Sequence, residues 1–112
     1  MSDLIPHLVD LLGAFGPVQA KRMFGGYGIY RDGLMFGLVA DDILYLKVDE
    51  QSRPAYQARD LPAFCYLRQG KRVEMRSYRQ APPEALEDPD LLLDWAGKAF
   101  QAALAASNRP PD

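Results

Sequence analysis

His7 is the only histidine in the chain, and Asp3 and Asp10 lie within one helical turn of it. A carboxylate–imidazole pair is the minimum for general-base work or for half a metal site. Here the three residues fall on the polar side of an amphipathic pattern, so they read as a solvated helix face. Cys65, the one cysteine, would need a base beside it to act as a nucleophile. The strand pairing expected below puts it across from Glu74, whose charge disfavours the thiolate. The run Gly25-Gly26-Tyr27-Gly28 has the glycine density of a phosphate loop but sits inside a strand pattern, without the strand before it and helix after it that such a loop requires. No residue set reads as catalytic, metal-binding or cofactor-binding, and a non-enzymatic protein is expected.

Two surfaces remain. Residues 59 to 80 carry Arg59, Arg68, Lys71, Arg72, Arg76 and Arg79 against Asp60 and Glu74, in a chain whose formal net charge is -2. With Tyr66 and Tyr78 interleaved, this segment offers Arg68, Lys71, Arg72 and Arg76 to nucleic-acid phosphates and bases. The alternative is a solvated hairpin whose arginines meet the acidic C-terminal helix. The second surface is apolar and depends on how the strands pair.

Residues 22 to 48 hold three strand-like runs separated by Asp32-Gly33 and Asp41-Asp42. Asp-Gly favours a two-residue hairpin turn with positive φ at both central positions. That turn pairs Arg31 with Leu34, Ile29 with Phe36 and Tyr27 with Leu38; the next pairs Leu38 with Tyr45 and Val39 with Leu44. Because side chains alternate across a sheet, one face holds Tyr30, Met35, Val39, Leu44, Leu46 and Val48 with Gly26, Gly28 and Gly37. The other holds Tyr27, Ile29, Leu34, Phe36, Leu38, Tyr45 and Lys47. The glycines form a shallow patch where a helix backbone can approach, or else a β-bulge occupies Gly25-Gly26. Tyr27, Ile29, Phe36, Leu38 and Tyr45 form an apolar cluster that serves as a partner surface, for a homodimer or another protein, unless a helix covers it.

The remaining elements frame this meander. Residues 3 to 14 read as an amphipathic helix, with Leu4, Ile5, Leu8, Val9, Leu11 and Leu12 on one face and Ser2 or Asp3 as cap. Residues 49 to 60 read as a short helix capped by Asp49 or Ser52. A second hairpin turns at Gln69-Gly70, pairing Tyr66 with Val73 and Phe64 with Met75. Asp88-Pro89 opens a long helix that runs to about Ala106, its wet face marked by Asp90, Asp94, Lys98 and Gln101. Ala96 and Ala99 on the opposite side are expected to approach Gly28 or Gly37.

With 112 residues and 48% hydrophobic content the chain is one domain, residues 1–106, followed by a disordered polar tail at 107–112. The first 20 residues lack a basic, then apolar, leader, and no apolar run reaches a membrane span. A cytoplasmic protein without membrane contact is expected.

The string Arg22-Met23-Phe24-Gly25-Gly26-Tyr27-Gly28-Ile29-Tyr30 resembles the TfoX/Sxy N-terminal domain family. Asp32-Gly33, Leu44-Tyr45-Leu46-Lys47-Val48-Asp49, Pro83-Glu84-Ala85-Leu86, Asp88, Pro89 and Trp95 follow in the family's order. The resemblance implies an α+β fold in the order α-β-β-β-α-β-β-α, with a mostly antiparallel five-stranded sheet. It also implies a role in regulating natural competence for DNA uptake, as a coactivator-like protein rather than an enzyme. The best-known members carry a second, C-terminal domain, and this chain is expected to end where that domain would begin. The expected function is therefore a regulatory protein–protein interaction domain, with nucleic-acid binding through the 59–80 hairpin as the alternative. A small-molecule site or an enzyme near the glycines stands third.

Overall fold

The computed structural model describes residues 4–23 and 25–107. The fold is α+β, with a six-stranded sheet in the order β1-β2-β3-β4-β6-β5, every neighbouring pair antiparallel. The strands are β1 (Val18–Met23), β2 (Gly26–Arg31), β3 (Leu34–Ala40), β4 (Ile43–Lys47), β5 (Ala63–Arg68) and β6 (Lys71–Gln80). The helices are α1 (Leu4–Leu11), α2 (Arg53–Gln57) and α3 (Pro89–Ser107), with 3₁₀ turns at Gly13–Phe15 and Pro83–Leu86. The caps expected at Ser2 and Asp3 lie outside the described residues.

The sixth strand is where the expected five-stranded sheet needs correction. The run through residues 22–30 is not one strand. Met23 pairs with Gly26, so the chain reverses there, and Gly25 takes the positive φ of +80° that this reversal demands. The other turns form as their residues dictate. Asp32-Gly33, Asp41-Asp42 and Gln69-Gly70 all hold positive φ at both central positions, the geometry that matches the twist of a two-residue hairpin. The expected pairs Arg31–Leu34, Leu38–Tyr45, Val39–Leu44, Tyr66–Val73 and Phe64–Met75 are all present.

One register differs. Tyr30 pairs with Met35 but Ile29 pairs with Gly37, leaving Phe36 as an extra residue in β3. This bulge replaces the expected Ile29–Phe36 and Tyr27–Leu38 pairs with Ile29–Gly37 and Tyr27–Val39. A one-residue slip moves side chains to the opposite face. Tyr27, Ile29, Phe36, Val39, Leu44 and Leu46 consequently belong to the core side, while Gly28, Tyr30, Met35 and Leu38 stand on the other.

The helices cover the core side, α1 against β1 and α3 across β3 and β4. Phe15, Phe36 and Phe100 meet edge to face there at centroid separations of 5.4, 5.9 and 6.1 Å. The Arg31 guanidinium lies over Phe15 and Phe100, which lets a strand-end cation border the core. Ala96 and Ala99 are fully buried. The expected seating of α3 on a glycine patch is corrected by the bulge: a Cβ on Gly28 would meet Met35, Tyr30 and Met23, on the face away from the helices. Only Gly37 faces the core, and the nearest atoms to a Cβ there belong to β4. Asp88 caps α3 as its position predicts, its Oδ1 accepting the backbone N–H of Asp90 at 3.0 Å. Asp49 likewise accepts the N–H of Ser52 at 2.9 Å ahead of α2.

Candidate binding cleft

The face of the sheet away from the helices is partly roofed by its own last hairpin. The first half of β6 pairs with β5 and the second half with β4. Between these halves, one step along β5 from Phe64 to Ala63 shifts its partner from Met75 to Arg79. The surplus residues on β6 bend the outer part of β5–β6 out of the sheet as an arm. On the arm's inner side stand Phe64, Tyr66 and Met75; facing them from the sheet are Met23, Met35 and Leu38. The space between is a cleft of about 630 Å³, bordered at its outer end by Arg68.

Its wall is an aromatic column. The Tyr45 ring meets Phe64 edge-on at 5.0 Å, and Phe64 stacks on Tyr66 at 5.9 Å. Its floor is set by Gly28: an added Cβ would lie 2.8 Å from the Met35 Sδ and 3.0 Å from the Met23 Sδ, so the missing side chain is what admits both thioethers. Of the four methionines in the chain, three line this one cleft. Methionine is flexible and polarisable, and concentrates on surfaces that adapt to what they bind.

Two phenols beside the cleft are pushed above their ordinary range. Burial, helped by the neighbouring Tyr30, pushes the Tyr78 phenol up to about 12, and its hydroxyl donates to the Met35 carbonyl at 3.4 Å. Burial and then Asp41 raise the Tyr45 phenol. Lys21 lies 4.9 Å from the Tyr30 ring centre and Lys47 lies 5.0 Å from that of Tyr78. These groups can bind and orient, and among the described residues no nucleophile–base pair faces the cleft.

The expected site residues divide. Ile29 and Phe36 are 1% and 0% exposed in the core, Tyr27 packs against that core while also lining the cleft, and Leu38 and Tyr45 lie on the open face. The five therefore do not form one partner surface, and the homodimer expected through them loses its face; the Phe36 bulge is the reason. Of the four nucleic-acid candidates, Arg68 and Lys71 pair across the arm tip on the cleft side. Arg72 and Arg76 are on the outer side, where Arg72 contacts the Cys65 sulfur at 3.4 Å and Arg76 holds Glu74 at 3.1 Å. Arg59 pairs with Glu84 in the 3₁₀ turn before α3, and the half-buried Arg79 donates to the Leu61 carbonyl at 3.0 Å. A second, polar recess between α2 and β6 is lined by Arg53, Gln57, Glu74, Arg76 and Arg79.

His7 is exposed and its Nε2 donates to the Leu86 carbonyl at 2.7 Å, tying α1 to the second 3₁₀ turn. Cys65 does stand opposite Glu74, and its thiol donates to the Ala63 carbonyl. Among the described residues no three His, Cys, Asp or Glu side chains are grouped to hold a metal ion, and no helix is long and apolar enough to cross a membrane. Of the residues lining the cleft, sequence reasoning singled out Tyr27, Leu38 and Arg68 for binding, but not Met23, Met35, Phe64 or Met75. The signal available was that Met23, Met35 and Met75 all fall in strands.

A small antiparallel sheet with helices on one side and an apolar, arm-roofed cleft on the other defines a domain of the α+β class. The family model of the TfoX N-terminal domain matches residues 10–103, and the chain belongs to that family. Protein Sxy of Escherichia coli (strain K12) is 31% identical over 71 residues, a match that covers 62% of this chain and 34% of that protein. The chain thus spans about a third of the length of the curated relative it matches.

Proposed function

We propose that this chain is a regulatory domain that acts by binding a protein partner rather than by catalysis, and that the partner's apolar side chains enter the cleft between the arm and the sheet. The observation that carries the reading is the convergence of Met23, Met35 and Met75 with Phe64, Tyr66 and Leu38 on one apolar cleft. Such a surface adapts to a partner's side chains and offers few polar groups to orient a reacting substrate. Membership of the TfoX N-terminal domain family supports a regulatory role of the kind linked to competence.

The test is affinity capture from native cell extract, with and without nuclease, using the wild-type chain and a Met75→Glu variant whose folding is confirmed by circular dichroism. A partner that survives nuclease and is lost with Met75→Glu is the expected result. Loss of all captured protein on nuclease treatment, or equal capture by the variant, refutes the reading.

A further inference from the structure

Charge is sorted by element in this chain. Among the described residues, nine of the twelve Lys and Arg side chains lie in strands, against one of the thirteen acidic ones, Glu74. Glu74 points to the outer side of the arm and is held by Arg76. On the open face the strands present Lys21, Lys47, Arg68 and Lys71 and no carboxylate. Beside this face Asp41, in the β3–β4 turn, is close enough to Tyr45 to raise its phenol. A chain of net charge -2 therefore turns a cationic, methionine-lined face outward.

Resting on the docking reading above, we propose that the partner segment seated in this cleft is acidic and amphipathic: bulky apolar side chains enter between Met35 and Met75, and flanking Asp or Glu residues meet Arg68 and Lys71 at the lip. Complementary charge steers encounter and fixes register, while the apolar insertion holds the complex. Nucleic acid would also seek cations, but base binding to a sheet needs free aromatic faces. Here Lys21 covers Tyr30 and Lys47 covers Tyr78, while Phe64 is taken up by Tyr45 and Tyr66. The occupied rings and the thioether floor favour a peptide.

Two fluorescein-labelled amphipathic peptides of the same apolar face test this, one with Glu and one with Lys on its polar face, alongside a labelled single-stranded oligonucleotide. Fluorescence anisotropy against the full chain at low salt should show the Glu peptide binding at least about tenfold tighter than the Lys peptide, a preference that fades as salt screens the lip. The double variant Arg68→Glu/Lys71→Glu should abolish that preference, whereas Arg72→Glu/Arg76→Glu, on the outer side, should keep it. Equal affinity for both peptides, no binding of either, or a preference indifferent to Arg68→Glu/Lys71→Glu overturns the proposal. So does binding of the oligonucleotide alone. If capture of the native partner depends on Met75 but not on the Arg68/Lys71 reversal, the cleft reading stands and only the acidic partner falls.

Discussion

Gly26 and Gly28 sit two residues apart in β2 on the same face of the sheet, yet alanine at each should have different consequences. At Gly26 a Cβ would fall inside 3.0 Å of the Val39 carbonyl oxygen, with the Val39 carbon at 3.3 Å and the Ala40 Cα at 3.5 Å. All three are backbone atoms of β3. The clash can be relieved only by parting the strands and weakening their hydrogen bonds, so Gly26→Ala should cost about 3 kcal/mol, the upper end of ordinary overpacking. At Gly28 the atoms within 3.0 Å belong to Met35, Tyr30 and Met23 side chains, and two of the three are thioether sulfurs that swing away. Alanine also lowers the entropy of the unfolded chain relative to glycine by about 0.4–1 kcal/mol. Gly28→Ala should therefore change stability by less than about 1 kcal/mol while filling the cleft floor and weakening partner capture. Neither position needs a positive φ, so the entropic gain is common to both and the difference isolates the steric overlap. Urea unfolding followed by circular dichroism measures it. With a slope of about 1.5 kcal/mol/M, the Gly26→Ala midpoint should fall by roughly 2 M and that of Gly28→Ala by well under 1 M. Equal losses, or a larger loss at Gly28, would refute the placement of these glycines.

Two further outcomes test the assignment of faces. Phe36→Ala should cost about 3–5 kcal/mol, because its ring is fully buried between Phe15 and Phe100; a loss below about 1 kcal/mol by the same urea titration would return Phe36 to the surface. Stability should also fall at alkaline pH. Tyr78 is raised from the ordinary phenol value of 10.0 to about 12 and Tyr56 is raised as well, so between these limits the unfolded chain loses phenolic protons that the folded chain keeps. This contribution is fully present below pH 10 and is lost as pH rises toward 12, and Tyr78→Phe should flatten the decline in unfolding midpoint; an unchanged slope would mean the Tyr78 phenol is not held neutral by the fold.

What was legible in the sequence is what short-range chemistry dictates. Asp32-Gly33 and Gln69-Gly70 announce positive-φ turns, and each turn fixes the pairs next to it, so Arg31–Leu34 and Phe64–Met75 follow directly. Asp88-Pro89 announces its helix through a cap two residues long. The Phe36 bulge had no such signal. Leu34-Met35-Phe36-Gly37-Leu38-Val39 is apolar throughout, so a slip by one residue exchanges one hydrophobic side chain for another and the pattern cannot register it. β1 was missed for the opposite reason: Gln19, Lys21 and Arg22 make it look like loop, and it forms because an edge strand tolerates polar residues. The insertion of β6 between β4 and β5 is set by contacts across the sheet, which no local window contains.

The glycine-aromatic string that carries the family resemblance maps onto the cleft rather than onto the helix packing its composition suggested. Gly25 makes the reversal that creates β1 and so brings Met23 onto the open face. Gly26 lets β2 lie close against the Val39 backbone, and Gly28 leaves room for two thioethers. Tyr30 carries Lys21, which places a cation on the same face. An uncovered apolar face of this kind invites indiscriminate association. The arm from β5–β6 shields it from one side, and the cations around it repel a second copy presenting the same charge. The acidic partner proposed above would satisfy both features, with the string and the arm as parts of that one proposed binding device.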